Sequence, residues 1–230
     1  MKTGFFGLNI TEGKEKYNDP RLNALAGKFE PKKTTFFYME FAKDESVQCD
    51  AIAVKKSSLL DLLILDIEKC ETRIKNSTDA GETGLMKKAL SKLEEETPLC
   101  DLPFSEDEKA KLRAAGIVSL KPVIIVEEEN PAADALIERI LEKAGVLFFY
   151  TAGKTEVRSW PVPAGSDIVT CAGKIHTDLA RGFIKADIVK FEDMMRAHNM
   201  NDARTQGFVR VVDRDYIIQP GEVIEIRYNV

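Results

Sequence analysis

Imidazole and indole are nearly missing from this chain, which has two histidines and one tryptophan in 230 residues. The four cysteines (Cys49, Cys70, Cys100 and Cys171) lie far apart and form no Cys-x-x-Cys pair. With so few histidines, zinc-ligand spacing is absent as well, so no metal site is expected. Reduced thiols in a cytoplasmic protein are the expectation, with Cys70 on an apolar helical stripe as core filler. No apolar run approaches the roughly 20 residues that cross a bilayer, so no membrane association is expected. The opening Met-Lys-Thr-Gly-Phe-Phe-Gly-Leu has too short an apolar part, and no small-residue cleavage site, for a signal peptide; it reads as a first strand. Internal repeats and low-complexity tracts are also missing. A net charge of −5 excludes a surface that is basic throughout, as a nucleic-acid-coating protein would have, but leaves room for a local basic patch.

What is present is an ordinary globular composition, 44% hydrophobic and 31% charged, in a chain long enough for one good core or two small ones. Residues 3–8 form a short apolar run, and 9–19 read as a polar, glycine-containing loop. Asp19 caps and Pro20 opens a short helix carrying Leu22, Leu25 and Ala26, which Pro31-Lys32-Lys33 ends. Residues 34–41, β-branched and aromatic, predict a strand, and 51–54 a shorter one. Residues 59–74 predict a strong helix, with Leu60, Ile64, Ile67, Cys70 and Ile74 inward and Asp66, Glu68, Lys69 and Arg73 off that stripe. After a turn at 76–84, residues 85–96 form a second helix with Met86, Ala89, Leu90 and Leu93 on one face. Two such helices should pack antiparallel. Ser105-Glu106-Asp107-Glu108 is a capping box for a third helix, ended by Gly116.

Residues 121–126 read as a fully buried strand, and Asn130-Pro131 as the cap of a helix running to about Lys143. The pattern then changes to short strands at 147–151, 157–162, 207–212 and 223–228. They surround one helix at 169–181 and a less regular stretch at 192–198. That change sets a domain boundary near residue 145.

Five stretches occur in one order over residues 148–223: Phe148-Phe149-Tyr150-Thr151-Ala152-Gly153, Glu156-Val157-Arg158-Ser159-Trp160, Ala172-Gly173-Lys174-Ile175-His176-Thr177-Asp178-Leu179, Arg181-Gly182-Phe183-Ile184-Lys185-Ala186, and Asp215-Tyr216-Ile217-Ile218-Gln219-Pro220-Gly221-Glu222-Val223. Together they resemble the TGS domain of the YchF/Obg-like ATPases. Upstream, Asp19-Pro20-Arg21-Leu22-Asn23-Ala24-Leu25 is similar to the segment after the first effector region of that family's nucleotide-binding domain. Residues 58–116 resemble its helical insertion, and Lys121-Pro122-Val123-Ile124-Ile125-Val126 the strand before its base-recognition motif. The family's proteins are markedly longer. The resemblance implies an α/β remnant of a P-loop-type domain over 1–57 and 117–146, with mainly parallel strands. A helical hairpin projects from it over 58–116, and an α+β β-grasp (TGS) domain follows over 147–230. It also implies the ribosome, RNA or a protein partner as the target, because TGS domains accompany translation and stress signalling.

The parts that would hydrolyse a nucleotide are missing. A phosphate loop needs Gly-x-x-x-x-Gly-Lys-Ser/Thr, whose backbone amides cradle phosphate while the lysine neutralises charge and the hydroxyl binds magnesium. Here Gly7 and Gly13 are one residue too far apart, Lys14 follows, and Glu15 replaces the hydroxyl. No long helix follows, and no Asp-x-x-Gly comes after 34–41 to hold magnesium and position water. The base-reading asparagine that the resemblance implies after Val126 falls in Glu127-Glu128-Glu129. The expectation is a non-catalytic binding or regulatory module without cofactors. The alternative is a weak nucleotide-binding protein taking ATP or GTP with magnesium at Gly7, Gly13 and Lys14.

Candidate partner-binding residues are Lys87, Lys88 and Lys92 on the hairpin and Arg158, Lys174, Arg181, Lys185 and Lys190 in the last domain. That domain has eleven basic and eleven acidic residues over 147–230, so it is neutral as a whole. The acidic run at 127–129 could attract a divalent cation, though a solvated loop before a capped helix is the plainer reading. Trp160 could stack a base but serves better as packing under a sheet. His176 has no nucleophile near it in sequence and is expected to cap or face solvent, and His198 to be exposed.

Overall fold

The opening apolar run becomes the central strand of a sheet, but the segment after it does not stay with that sheet. The computed structural model describes residues 1–229 and divides into two units, Met1–Glu15 with Met39–Ala144, and Lys16–Tyr38 with everything from Gly145. β1 (Lys2–Phe6) and β2 (Gly13–Lys16) enter the first sheet, whereas α1 (Pro20–Phe29) and β3 (Lys33–Thr35) go to the second unit. The chain returns to the first sheet with β4 (Tyr38–Lys43). Residues 16–38 therefore do not belong to an N-terminal domain of 1–57, and the strand read at 34–41 is two strands in two sheets. The reason is hydrophobic: Leu22, Leu25 and Phe29 on one face of α1 are buried with Tyr150, Val157 and Val223. Asp19 caps α1 as expected, accepting from the Arg21 and Leu22 amides.

In the first unit, β5 (Ala51–Lys55) and β6 (Val123–Val126) complete a sheet ordered β2-β4-β1-β5-β6, with β4, β1, β5 and β6 parallel. α2 (Leu59–Asn76) and α3 (Ala80–Glu94) share one core with the sheet, in which Ile52, Val54 and Val123 meet Leu62, Leu63, Met86 and Leu93. The hairpin is thus seated on the sheet through that core and is not simply a projecting arm. Its turn is short, because Asp79 caps α3 through the Gly81 and Glu82 amides. α2 also turns a different face inward from the one its spacing suggested. Leu59, Leu62, Leu63, Asp66 and Cys70 are buried, while Leu60 and Ile64 are 45% and 40% exposed.

Leu-Leu-Asp-Leu-Leu-Ile-Leu-Asp-Ile is apolar on nearly every side, so periodicity alone permits several rotations of α2. The buried rotation is the one that brings the Asp66 carboxylate to the Val118 and Ser119 amides, at 2.9 and 2.8 Å. α4 (Glu106–Ala114) has the expected capping box, Ser105 N to Glu108 at 2.8 Å and Glu108 N to Ser105 Oγ at 3.2 Å. α5 (Ala133–Lys143) is capped by Ala132 without a side-chain bond, so Asn130 is not its cap.

The second unit adds β7 (Val146–Ala152), β8 (Glu156–Pro163), α6 (Ile168–Ile175), α7 (Thr177–Arg181), β9 (Phe183–Val189), α8 (Phe191–Arg196), α9 (Met200–Thr205), β10 (Arg210–Val212) and β11 (Val223–Tyr228). Its sheet is ordered β10-β9-β11-β7-β8-β3, with β11 parallel to β7 and β3 parallel to β8, the other neighbours being antiparallel. Alternate residues serve two cores. Phe149, Trp160, Ile188 and Ile224 meet α6, and Tyr150, Val157, Val189 and Val223 meet α1, α8 and α9. The helix read at 169–181 is two helices, broken where His176 turns extended and its Nδ1 accepts from Asp178 N, which is its expected capping role. His198 is exposed, also as expected.

β9, between β10 and β11, had no counterpart in the sequence reading because Lys185 and Asp187 interrupt its apolar run. Asp187 is fully buried yet answered, by Arg204 Nε at 2.9 Å and Arg227 Nη2 at 2.6 Å. Tyr150 donates to Asp19 Oδ2 at 2.7 Å, and burial together with that carboxylate pushes its phenol well above the ordinary range.

All four cysteines are free thiols. Burial raises Cys70 to about 11 and Cys171 to about 12, keeping both protonated at mildly alkaline pH. A disulfide reagent is expected to label partly exposed Cys100 first in the native protein, with Cys70 and Cys171 reacting only as fast as the chain unfolds. Equal labelling rates for all four would contradict this.

Candidate functional site

The carboxyl ends of parallel strands are where open α/β sheets place their ligands. In the first unit three of these ends are formed by Gly7 after β1, Lys55-Lys56 at the end of β5, and Glu127–Asn130 after β6. Register brings the last two runs together, because Lys55 lies opposite Val126. Lys55 pairs with Glu129 and Lys56 with Glu127, each at 3.1 Å. The Lys56 pair is exposed and the Lys55 pair partly so, and each contributes about 1 kcal/mol at most. Their effect is on the local field: Glu128 remains in excess, which disfavours a phosphate. Lys55 and Lys56 were not singled out in the sequence, although two basic residues ending one parallel strand and three acidic ones ending its neighbour are a legible sign of pairing.

The residues compared with a phosphate loop are dispersed. Gly7, with φ at +66°, lets β1 approach the start of α2 closely, since a Cβ there would lie 2.4 Å from Ser58 Oγ. Gly13 opens β2 in open space, and Lys14 is exposed on that strand. Between them the chain is pinned to the loop after β6. Asn9 N donates to the Glu129 carbonyl at 2.8 Å and Asn9 Nδ2 to Asn130 Oδ1 at 2.7 Å. One backbone amide of this loop is therefore already bonded. The adjoining cavity, lined by Asn9, Ile10, Thr11, Glu15, Phe41 and Leu136 among others, measures about 190 Å³. That is below the roughly 300–1,000 Å³ of small-molecule sites, and it offers a carboxylate and no cation. These residues do not fit a nucleotide with magnesium.

The basic residues expected to form a partner surface divide into two groups. Lys88 pairs with Glu108 and lies over Phe104, and Lys92 pairs with Glu95. Arg181 pairs with Asp178 and Lys185 with Asp213. Lys87, Lys174 and Arg158 have no ion pair among the described residues. The Arg158 guanidinium lies 3.7 Å from the centre of the Trp160 ring. Trp160 itself is buried, stacked on Phe149, and donates from Nε1 to Thr151 Oγ1 at 3.0 Å, so it is packing as expected.

Residues 146–229 match the YchF-GTPase C-terminal family, described as a protein of unknown function (DUF933). The chain is 38% identical over 102 residues to the ribosome-binding ATPase YchF of Bacillus subtilis, a match covering 44% of this chain and 28% of that protein. It is 26% identical over 233 residues to the protein of the same name from Escherichia coli O157:H7, covering 74% and 64%. Obg-like ATPase 1 of Homo sapiens is 30% identical over 128 residues, covering 56% and 32%. The matches thus span less than two thirds of each of these relatives' length. The structure of a Schizosaccharomyces pombe YchF GTPase superposes with a TM-score of 0.76 over 99% of this chain and 97% of that one. At 15% identity this last match shows a shared fold.

Proposed function

We propose that this relative of the YchF/Obg-like ATPases, which carries their C-terminal domain over residues 146–229, is a non-hydrolysing module that binds the ribosome. The observation that carries the non-hydrolysing part is the connection from Gly7 to Gly13. It leads into β2, not into a helix, and is tied down at Asn9, whose amide donates to the Glu129 carbonyl. The ribosome is suggested by relatives named ribosome-binding ATPases. We read the second unit as a TGS β-grasp domain; its first and last long strands, β7 and β11, are parallel neighbours with α6 against the sheet.

Two measurements test this reading. The protein is expected to sediment with ribosomal particles at low salt and to be released as salt rises, because phosphate contacts exchange counterions. Complete separation from ribosomes at low salt would overturn the partner. Phosphate release from ATP or GTP with magnesium is expected not to exceed the buffer rate. Turnover that Lys14→Ala abolishes would restore the nucleotide-hydrolysing alternative.

A further inference from the structure

The second unit holds a cavity of about 330 Å³, larger than the one beside Asn9 and different in chemistry. Three cations line it: Arg21 from the first turn of α1, Lys190 just after β9, and Arg210 at the start of β10. None of the three forms an ion pair among the described residues. Three aromatic rings, Phe191, Phe208 and Tyr216, share the lining. Arg21 lies over Phe191 with 5.9 Å to the ring centre, and Arg210 over Tyr216 with 4.9 Å. Phe208, the third ring in the lining, is covered by Arg196 at 4.7 Å.

The carboxylates in the lining are mostly spent. Glu222 is buried, with one oxygen accepting from Tyr216 Oη at 2.6 Å and the other from Gln219 N at 2.9 Å. Asp193 pairs with Arg196. Glu192, exposed, has neither an ion pair nor a side-chain hydrogen bond among the described residues, so the three cations share the cavity with two carboxylates that lack a cationic partner, Glu192 and Glu222, and exceed them by one charge. Gly221 contributes by having no side chain. A Cβ there would come within 3.1–3.2 Å of the Arg21 guanidinium, which therefore lies directly over the turn.

Arg21 and Arg210 are answered only by ring faces and Lys190 by no ion pair among the described residues; such cations suit an anion, and planar guanidinium groups suit phosphate in particular. The rings suit a flat, apolar-faced group attached to it. The volume, at the lower end for small-molecule sites, suits one such unit. We propose that this cavity takes a single nucleotide unit, its phosphate held by Arg21, Lys190 and Arg210 and its base against the aromatic lining. A free nucleoside monophosphate and an unpaired residue of single-stranded RNA offer the same chemistry. The site does not depend on ribosome binding, so failure of co-sedimentation would leave it standing.

The test is calorimetric titration of the full chain with AMP, UMP, inorganic phosphate and a short single-stranded RNA, at low and high salt. Arg21→Ala and Arg210→Ala are each expected to weaken binding about tenfold or more. Lys14→Ala should leave binding unchanged. Circular dichroism checks the fold of each variant, and Lys190→Gln, at an exposed position, serves if an arginine variant does not fold. Binding of monophosphates alone identifies a free ligand. Binding of RNA that falls with salt and greatly exceeds that of monophosphates identifies a strand. The proposal is overturned if no probe binds at low salt, if inorganic phosphate binds as well as the nucleotides, or if Lys14→Ala abolishes binding while the arginine variants do not.

Discussion

Asp66→Ala is expected to lower the stability of the first unit by about 2–5 kcal/mol, because it strands two buried backbone amides. The carboxylate is fully buried on α2, and its two oxygens each take one amide, from Val118 and Ser119. Lys69 lies 3.4 Å from the same carboxylate and also donates to the Gly116 carbonyl at 2.6 Å, so the residue ties α2 to the loop after α4 from two sides. Asp66→Asn keeps the volume and one acceptor, and it should cost about half as much because one amide then faces the NH₂ group. Urea unfolding of both variants gives the ranking. An Ala variant within about 0.5 kcal/mol of wild type, the range of ordinary surface changes, would mean that the loop reforms its bonds elsewhere.

Gly4→Ala should be at least as damaging, at about 3 kcal/mol or more, and is expected to reduce the yield of soluble protein. Gly4 sits in the middle of β1, paired on both sides, and a Cβ there would lie 1.5 Å from the Glu45 carbonyl oxygen. That neighbour is backbone, so no rotamer relieves the overlap, and β1 cannot shift without breaking its register with β4 and β5. Gly27→Ala is the matched control. It lies exposed on α1 with nothing within 4 Å, and alanine is the better helix former by about 1 kcal/mol. Thermal melting of the two variants should move in opposite directions; a Gly4→Ala protein as stable as wild type would show that the loop at Glu45 yields.

Neither Asp66 nor Gly4 stood out in the sequence, and both for the same reason. Asp66 follows Leu65 in a helix apolar on nearly all sides, and a carboxylate in such a run reads as solvent-facing until the two amides it meets are known. Gly4 in an apolar run reads as a neutral strand residue until another backbone is found against it. By contrast, the Asp19 cap, the Ser105–Glu108 box, the buried Trp160 and the capping role of His176 were legible, because each needs only the residues beside it in the chain or a single ring's size. β11 has the bounds read from the sequence, and β7 and β8 differ by one residue at each end, while β9 was missed because its buried Asp187 is answered by Arg204 and Arg227 from distant segments.

The same division holds for the candidate sites. The departure of Gly7, Gly13 and Lys14 from phosphate-loop spacing, and Glu15 in place of the hydroxyl, are visible in the sequence alone. That Asn9 is bonded to the loop after β6, and that Lys55 and Lys56 answer Glu129 and Glu127, required the parallel register of β5 and β6. The basic residues picked out in sequence turned out to be paired at Lys88, Lys92, Arg181 and Lys185, whereas Arg21 and Arg210, never singled out for their charge, line the cavity of the second unit with Lys190.

By itself, then, the sequence determined the elements whose causes are short-range: helices with their caps, strands in unbroken apolar runs, and an ordered set of motifs resembling a TGS domain. Tertiary structure alone decided which sheet residues 16–38 join, which face of α2 is buried, and which charges remain unanswered. Those outcomes depend on surfaces and partners far apart in the chain. An apolar face or a cation has many local solutions, and only the assembled neighbours select one.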